Sequence, residues 1–302
     1  MFKSRSRFWL VLIALFALLS LSIACGKKKD NSEDDAEVTE DEAPAAAPYK
    51  PSGNEGTITG KVSLTGTPSA AVAPKPIDMS SEASCASGNS KPMTESVVVN
   101  DGKLANVFVY IKDGTTADGQ KITNFSFPVP ATEVNLDQKG CHYSPHVIGL
   151  QTGQTLKVTN SDTATHNVHP QPNASIGNEE WNQTQAGGSA PIIKTFKRQE
   201  VLIPVKCNQH NWMKSYIGVV KHPYFAVTNA DGTFEIKNVP PGTYTIEAWQ
   251  ESYKSKSQQI TVPSKGTANA EFTYDAGASA AALTDGSLKM MPALEFPMHQ
   301  GH

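Results

Sequence analysis

Between Phe225 and Trp249 the chain reads FAVTNADGTFEIKNVPPGTYTIEAW, and its alternation admits little besides strands joined by tight turns. Phe234, Ile236, Tyr244, Ile246 and Ala248 share one parity, while Thr233, Glu235, Thr243, Thr245 and Glu247 take the other. A period of two puts the first set on a buried face and the second on the opposite one. Asp231-Gly232 and Pro240-Pro241-Gly242 supply the turns. The same grammar appears upstream. In GTITGKVSLTG, Ile58, Val62 and Leu64 face one way, and LANVFVYI is apolar on both faces, as a central strand requires. Shorter strands are expected at Val97–Val99, Val134–Leu136, Pro145–Leu150 and Leu156–Val158. Val201, Ile203 and Val205 alternate, and Cys207 keeps their parity, so its thiol is delivered inward at a strand end. Residues 68–95, rich in Pro, Ser and Ala, and residues 171–190 read as loops, and the pattern weakens over 113–130. The fold class is all-β.

That strand end carries the chemistry. VKCNQHNWM holds Cys207, His210 and Met213 as C-x2-H-x2-M, and NSDTATHNV supplies His166 followed by Asn167. One thiolate, two imidazoles and a thioether form the donor set that binds a single copper ion in a trigonal Cys/His/His plane with a long axial sulfur. Three donors within seven residues must share one tight loop, and the fourth must come from a neighbouring one. The bland alternative is a buried free cysteine with satisfied histidines. His169, near His166, could compete for the metal, and Met290, Met291, Met298, His299 and His302 could catch copper near the end of the chain.

The early His-Asn with the late C-x2-H-x2-M resembles the cupredoxins, with the loop spacing of amicyanin in the plastocyanin-like group. PHVIGLQTGQTLKVTNSDTATHNV is similar to the strand-turn-strand that precedes their first ligand. The resemblance covers roughly residues 130–222 and implies a Greek-key β-sandwich. It implies His166, Cys207, His210 and Met213 as ligands, Asn167 as a tie between the ligand loops, and His210 as the solvent-side electron exit. Gln209 stands where the family usually has Pro, which allows a less rigid loop. The 225–249 meander resembles a second family, the carboxypeptidase regulatory-like, or transthyretin-like, β-sandwich. Its usual G-x-I-x-G-x-V opening also occurs, but at residues 56–62. One sandwich built from 56–129 and 223–274, with the cupredoxin-like domain 130–222 inserted, accounts for this; consecutive β-modules are the simpler alternative.

The front end reads as an address. Lys3, Arg5 and Arg7 precede the apolar run FWLVLIALFALLSLSIA, and LSIACG resembles a bacterial lipobox with Ser22 where Leu is preferred. Residues 1–24 are then a signal peptide and Cys25 carries the lipid. An uncleaved anchor is the alternative, at the lower limit of about 17 residues for a spanning helix. Residues 25–55, crowded with Asp and Glu and then Pro and Ala, read as an extended tether, and 275–302 as a disordered tail. Both readings of the leader place the folded part in an oxidising cell-envelope compartment, where Cys85 and Cys141 can pair; Cys141 with His142 and His146 as a second metal site is the rival.

The net charge of −3 offers no basis for nucleic-acid binding. No H-E-x-x-H, G-x-S-x-G or phosphate loop is present, so a catalyst is not expected. The expected function is single-electron transfer to a redox protein partner. The alternatives are an envelope module that binds carbohydrate or protein around a structural or sensory copper, and copper storage or delivery. Lys194, Lys197, Arg198, Lys206 and Lys214 cluster in sequence near the metal loop, either steering an acidic partner or forming a solvated face. Trp212 and Tyr216 are candidates for a docking patch or for core packing.

Overall fold

A computed structural model describes residues 46–86 and 91–277. The leader, Cys25, most of the acidic stretch and the Met/His-bearing end therefore lie outside the described residues. No helix among the described residues is long and apolar enough to cross a membrane.

The described chain is all-β and forms two sandwiches. The outer sandwich takes its strands from both ends of the sequence. One sheet orders Phe225–Val227, Phe108–Thr116, Gly242–Gln250 and Lys254–Val262. The other centres on Gly56–Thr65, which pairs antiparallel with Thr233–Val239 and parallel with Thr267–Asp275. Ile58, Val62, Val109, Ile111, Phe234, Ile236, Tyr244 and Ile246 are buried between the two sheets, in line with their parity.

Residues 134–220 build the central sandwich. Ile192–Lys194, Leu156–Asn160, Val134–Gln138 and Tyr143–Ser144 form one sheet. Gln183–Gln185, His166–Pro170, Glu200–Lys206, Lys214–Val220 and Val147–Gln151 form the other. Its core holds Leu136, Leu150, Leu156, Val158, Ile203, Val205 and Ile217, and Cys207 and Met213 belong to it.

The sandwiches meet sheet against sheet. Phe108 and Tyr110 point out of the outer core and pack with Val147, Leu202 and Val220 of the central one, which explains why LANVFVYI is apolar on both faces. Gly149 and Gly218 face each other in register on paired strands. A Cβ on Gly149 would stand 2.5 Å from the Phe225 ring, and one on Gly218 2.5 Å from the Phe108 ring. The two stacked rings, 5.7 Å apart, thus occupy the space that side chains there would need. His146 lies in the same contact, with Nε2 2.7 Å from Glu251 and Nδ1 3.7 Å from Glu95. Burial raises the Glu251 carboxyl, but the His146 contact outweighs it and holds the group below its ordinary range.

Several expectations are corrected. Gln183–Gln185, inside the stretch read as loop, pairs with His166–Val168; a short polar edge strand carries no apolar alternation to reveal it. The Val97–Val99 strand shrinks to Val99–Asn100. Residues 46–55 are not an extended tether. Ala47–Pro48 pairs with Phe125–Ser126, Tyr49 packs on Phe125 and Phe127, and its hydroxyl donates to Glu55 at 2.7 Å. Glu247, assigned to the polar face, is buried because that face is covered. Tyr110, Lys112 and Ser257 donate hydrogen bonds to its carboxylate.

His222 is buried at the crossing from the central to the outer sandwich. Its Nε2 lies 2.8 Å from the Ile111 carbonyl, and its Nδ1 accepts the Tyr224 N–H at 3.3 Å. Both nitrogens of the neutral ring are satisfied, and burial lowers its pKa to about 4. The unfolded chain, with His near 6.5, binds the extra proton first. Stability from this group is therefore complete above about pH 6.5 and lost as pH falls towards 4, on the order of 3 kcal/mol. Urea unfolding from pH 7 to 4 should show a steeper decline for the wild type than for His222→Gln; parallel curves would contradict this assignment.

Candidate metal centre

The central sandwich delivers its donors through strand pairing. His166–Pro170 runs antiparallel to Glu200–Lys206, with His169 opposite Lys206. Stepping back from His169 to His166 is thus stepping past Lys206 into the turn that follows. Cys207 begins that turn. The Met213 N–H donates to the His210 carbonyl at 2.9 Å and the Cys207 N–H to the Met213 carbonyl at 3.3 Å, closing it around the two later residues.

His166, Cys207 and His210 come together, with one donor atom of each within 4.8 Å of the others, and all three are buried. The two Nδ1 atoms face each other at 2.9 Å, and Cys207 Sγ lies 3.6 Å from His210 Nδ1. Met213 is fully buried in the same core as Cys207. Burial pushes the thiol up, but hydrogen bonds from His166 and from the Asn167 N–H outweigh it and leave Cys207 below its ordinary value. Burial pushes His166 down, but its contacts with Cys207 and Asp162 win and raise it. His210 is lowered, by burial and by His166 beside it. The metal-free cluster therefore favours a Cys207 thiolate beside a protonated His166, and a soft metal ion would have to displace that proton.

The outward nitrogens have separate partners. His166 Nε2 lies 2.8 Å from Asp162 Oδ2, which orients the ring and leaves Nδ1 aimed at the cluster. Asp162 also accepts the N–H groups of Gly140 at 2.6 Å and Cys141 at 2.8 Å. Asn167 ties the His166 strand to the Cys207 turn. Its Oδ1 accepts the Asn208 N–H at 2.6 Å, the Gln209 N–H at 3.4 Å and the Cys207 thiol at 3.2 Å. Its Nδ2 donates to Asn182 at 2.6 Å. Trp212 packs beside His210, ring centroids 5.2 Å apart, and donates to the Cys141 carbonyl at 3.0 Å. Among the described residues, this set of one thiolate, two inward Nδ1 atoms and a buried Met fits a mononuclear copper ion.

Other sequence candidates fall elsewhere. Cys85 and Cys141 form a disulfide with Cα atoms 5.8 Å apart, so Cys141 is not free to join His142 and His146 around a metal. His169 does not enter the cluster; its ring nitrogens meet Asn208 Oδ1 at 3.2 Å and Glu180 Oε1 at 2.6 Å. His210 is not a solvent-side residue, being only 3% exposed. Its Nε2 is covered by Cys85 Sγ at 3.9 Å and Glu82 Oε2 at 3.8 Å. Nor do the basic residues surround the metal loop. Lys206 and Lys214 pair across its base, whereas Lys197 and Arg198 join Lys221 around a surface hollow before the other end of the Cys207 strand. Lys194 lies over the Trp181 ring at 5.1 Å.

Asp162 and Glu82 were not among the residues singled out from sequence. Asp162 stands four positions before His166, a weak signal available in NSDTATH; nothing local marks Glu82, which lies more than a hundred residues before His210.

A carboxypeptidase regulatory-like domain model matches residues 219–275. Several solved structures show partial likeness. A copper-containing nitrite reductase from Thermus scotoductus aligns at 20% identity and TM-score 0.27, covering 30% of this chain and 23% of that one. A purple cupredoxin from Nitrosopumilus maritimus aligns at 17% and 0.24, covering 28% and 98%. Amicyanin from Paracoccus versutus aligns at 19% and 0.26, covering 37% and 96%. The chain thus spans less than a quarter of the nitrite reductase. No curated protein matches it.

Losing the Asn167 acceptor would strand backbone donors of the Cys207 turn. Asn167→Ala should destabilise the metal-free protein by about 1–3 kcal/mol in urea unfolding. Asn182→Ala, which spares the turn, should cost less; equal losses would remove Asn167 from this role.

Proposed function

We propose that this chain is a mononuclear copper protein of a bacterial cell envelope that passes single electrons between protein partners. The observation that carries the reading is the buried convergence of Cys207 Sγ with the two Nδ1 atoms of His166 and His210. Copper supplies, when bound, a one-electron couple. The protein's part is to hold donors that suit both oxidation states. Cys207 would provide the soft thiolate, His166 and His210 imidazole nitrogens, and Met213 a weakly binding thioether sulfur. Asp162 orients the ring of His166, and Asn167 holds the Cys207 turn against the His166 strand, so the donors keep their places as charge changes. Burial excludes water that would otherwise enter the coordination sphere.

The remainder of the chain is read as support. Residues 56–129 and 223–274 are taken as two parts of one transthyretin-like sandwich with the cupredoxin-like domain 130–222 inserted, a reading favoured by the pairing of Gly56–Thr65 with Thr233–Val239 and Thr267–Asp275. This sandwich acts as a rigid carrier, seated through Phe108 and Phe225 on Gly149 and Gly218. Lipid on Cys25 anchors the whole, and no substrate is turned over.

Visible absorption of the purified chain with Cu(II) tests the proposal. The wild type should show an intense thiolate-to-copper band, Cys207→Ser should abolish it, and Met213→Leu should keep it while raising the reduction potential. A copper spectrum unchanged by Cys207→Ser would refute the ligand assignment.

A further inference from the structure

Ile77–Cys85 belongs by sequence to the long connection after Gly56–Thr65, yet it ends against the metal centre. Its base is pinned where Pro76 bridges Met93, with the Ile77 N–H donating to the Pro92 carbonyl at 3.0 Å. Beyond the base, Met79 and Cys85 are buried with Cys141 and Ala164 in a small apolar cluster to which Ile77 and Trp212 add their sides. Cys85 Sγ and Glu82 Oε2 are the atoms that close over His210 Nε2. The other half of the disulfide is held from the central sandwich, since Asp162 accepts the Cys141 N–H and Trp212 donates to the Cys141 carbonyl. The bond therefore joins a segment lying over one histidine to a backbone gripped by the carboxylate that orients the other.

We infer that Ile77–Cys85 is a cover over the His210 edge, locked by the Cys85–Cys141 disulfide, whose role is to retain the metal ion and keep solvent and thiol reagents from Cys207. Without the cross-link, the segment is held by its base and by a cluster of few side chains, so local opening costs far less than unfolding. With it, the tip cannot leave unless the Gly140–Cys141 backbone leaves Asp162. The inference rests on the metal-centre reading for its copper arm only; the accessibility arm stands on the geometry alone.

The test compares the wild type with Cys85→Ala/Cys141→Ala. In the metal-free proteins, maleimide labelling at Cys207, read by peptide mass spectrometry, should be at least tenfold faster without the disulfide. A reporter on the opposite sheet, Val158→Cys in a Cys207→Ser background, should label at the same rate with or without it. Equal labelling of Cys207 overturns the cover, and so does equal acceleration at both positions, which would mean general loosening. Should the double variant not fold, reducing the Cys85–Cys141 disulfide of the folded wild type and of the reporter protein and removing the reductant before labelling serves instead, and it must accelerate labelling at Cys207 and not at position 158. In the Cu(I)-loaded proteins, transfer of metal to a Cu(I) chelator should be at least tenfold faster for the variant, and equal rates overturn retention. If neither protein takes up copper, the proposed function falls, while labelling still decides whether the cover exists.

Discussion

The antiparallel pairing of His166–Pro170 with Glu200–Lys206 is the constraint on which the centre depends. Because the ladder holds His169 against Lys206, the first histidine and the turn after Lys206 must lie side by side. No long-range search by flexible loops is needed to bring thiol and imidazole together. Asn167 then converts neighbourhood into geometry, since one carbonyl oxygen takes two backbone donors of the turn and the thiol. A one-residue slip of register would turn His166 to the opposite face and bring Asn167 inward.

Placing a thiol and two imidazoles in an apolar core is costly unless each polar atom has a partner. The outward nitrogen of His166 has Asp162, and the inward atoms have each other. That inward arrangement is compact because several donors converge on a small volume, which is what a coordinating ion exploits. His210 is held differently, by a sulfur and a carboxylate at longer range from a segment of the outer sandwich. The two sandwiches are thus linked twice: through the Phe108 and Phe225 rings lying on glycines, and through the disulfide beside the donors. Movement of the clustered His166, Cys207 and His210 side chains is opposed from both sides.

Much of this was legible in the sequence, and what was not has a common cause. Strands with one buried face announced themselves by parity, and Cys207 was placed inward by the same rule. The donor set could be read because thiolate, imidazole and thioether within seven residues have few other reasons to coincide. The grip of Glu82 and Cys85 on His210 could not be read, because the segment is rich in Pro, Ser and Ala and its partners lie more than a hundred residues away. Gly149 and Gly218 look in sequence like weak points in strands, whereas in the fold they are seats for aromatic rings. The basic residues misled in the opposite way. At about 3.3 Å per residue, the strand Glu200–Lys206 separates Lys197 and Arg198 from Lys206, so closeness in sequence was not closeness to the Cys207 turn.

X-ray absorption at the copper edge of the loaded protein, recorded oxidised and then reduced, addresses the central claim most directly. If Cys207, His166 and His210 share one ion in a site that the surrounding fold holds fixed, both states should show one short copper–sulfur and two copper–nitrogen distances with little change between them. A first shell without sulfur, or one that gains oxygen ligands and rearranges on oxidation, would contradict the account.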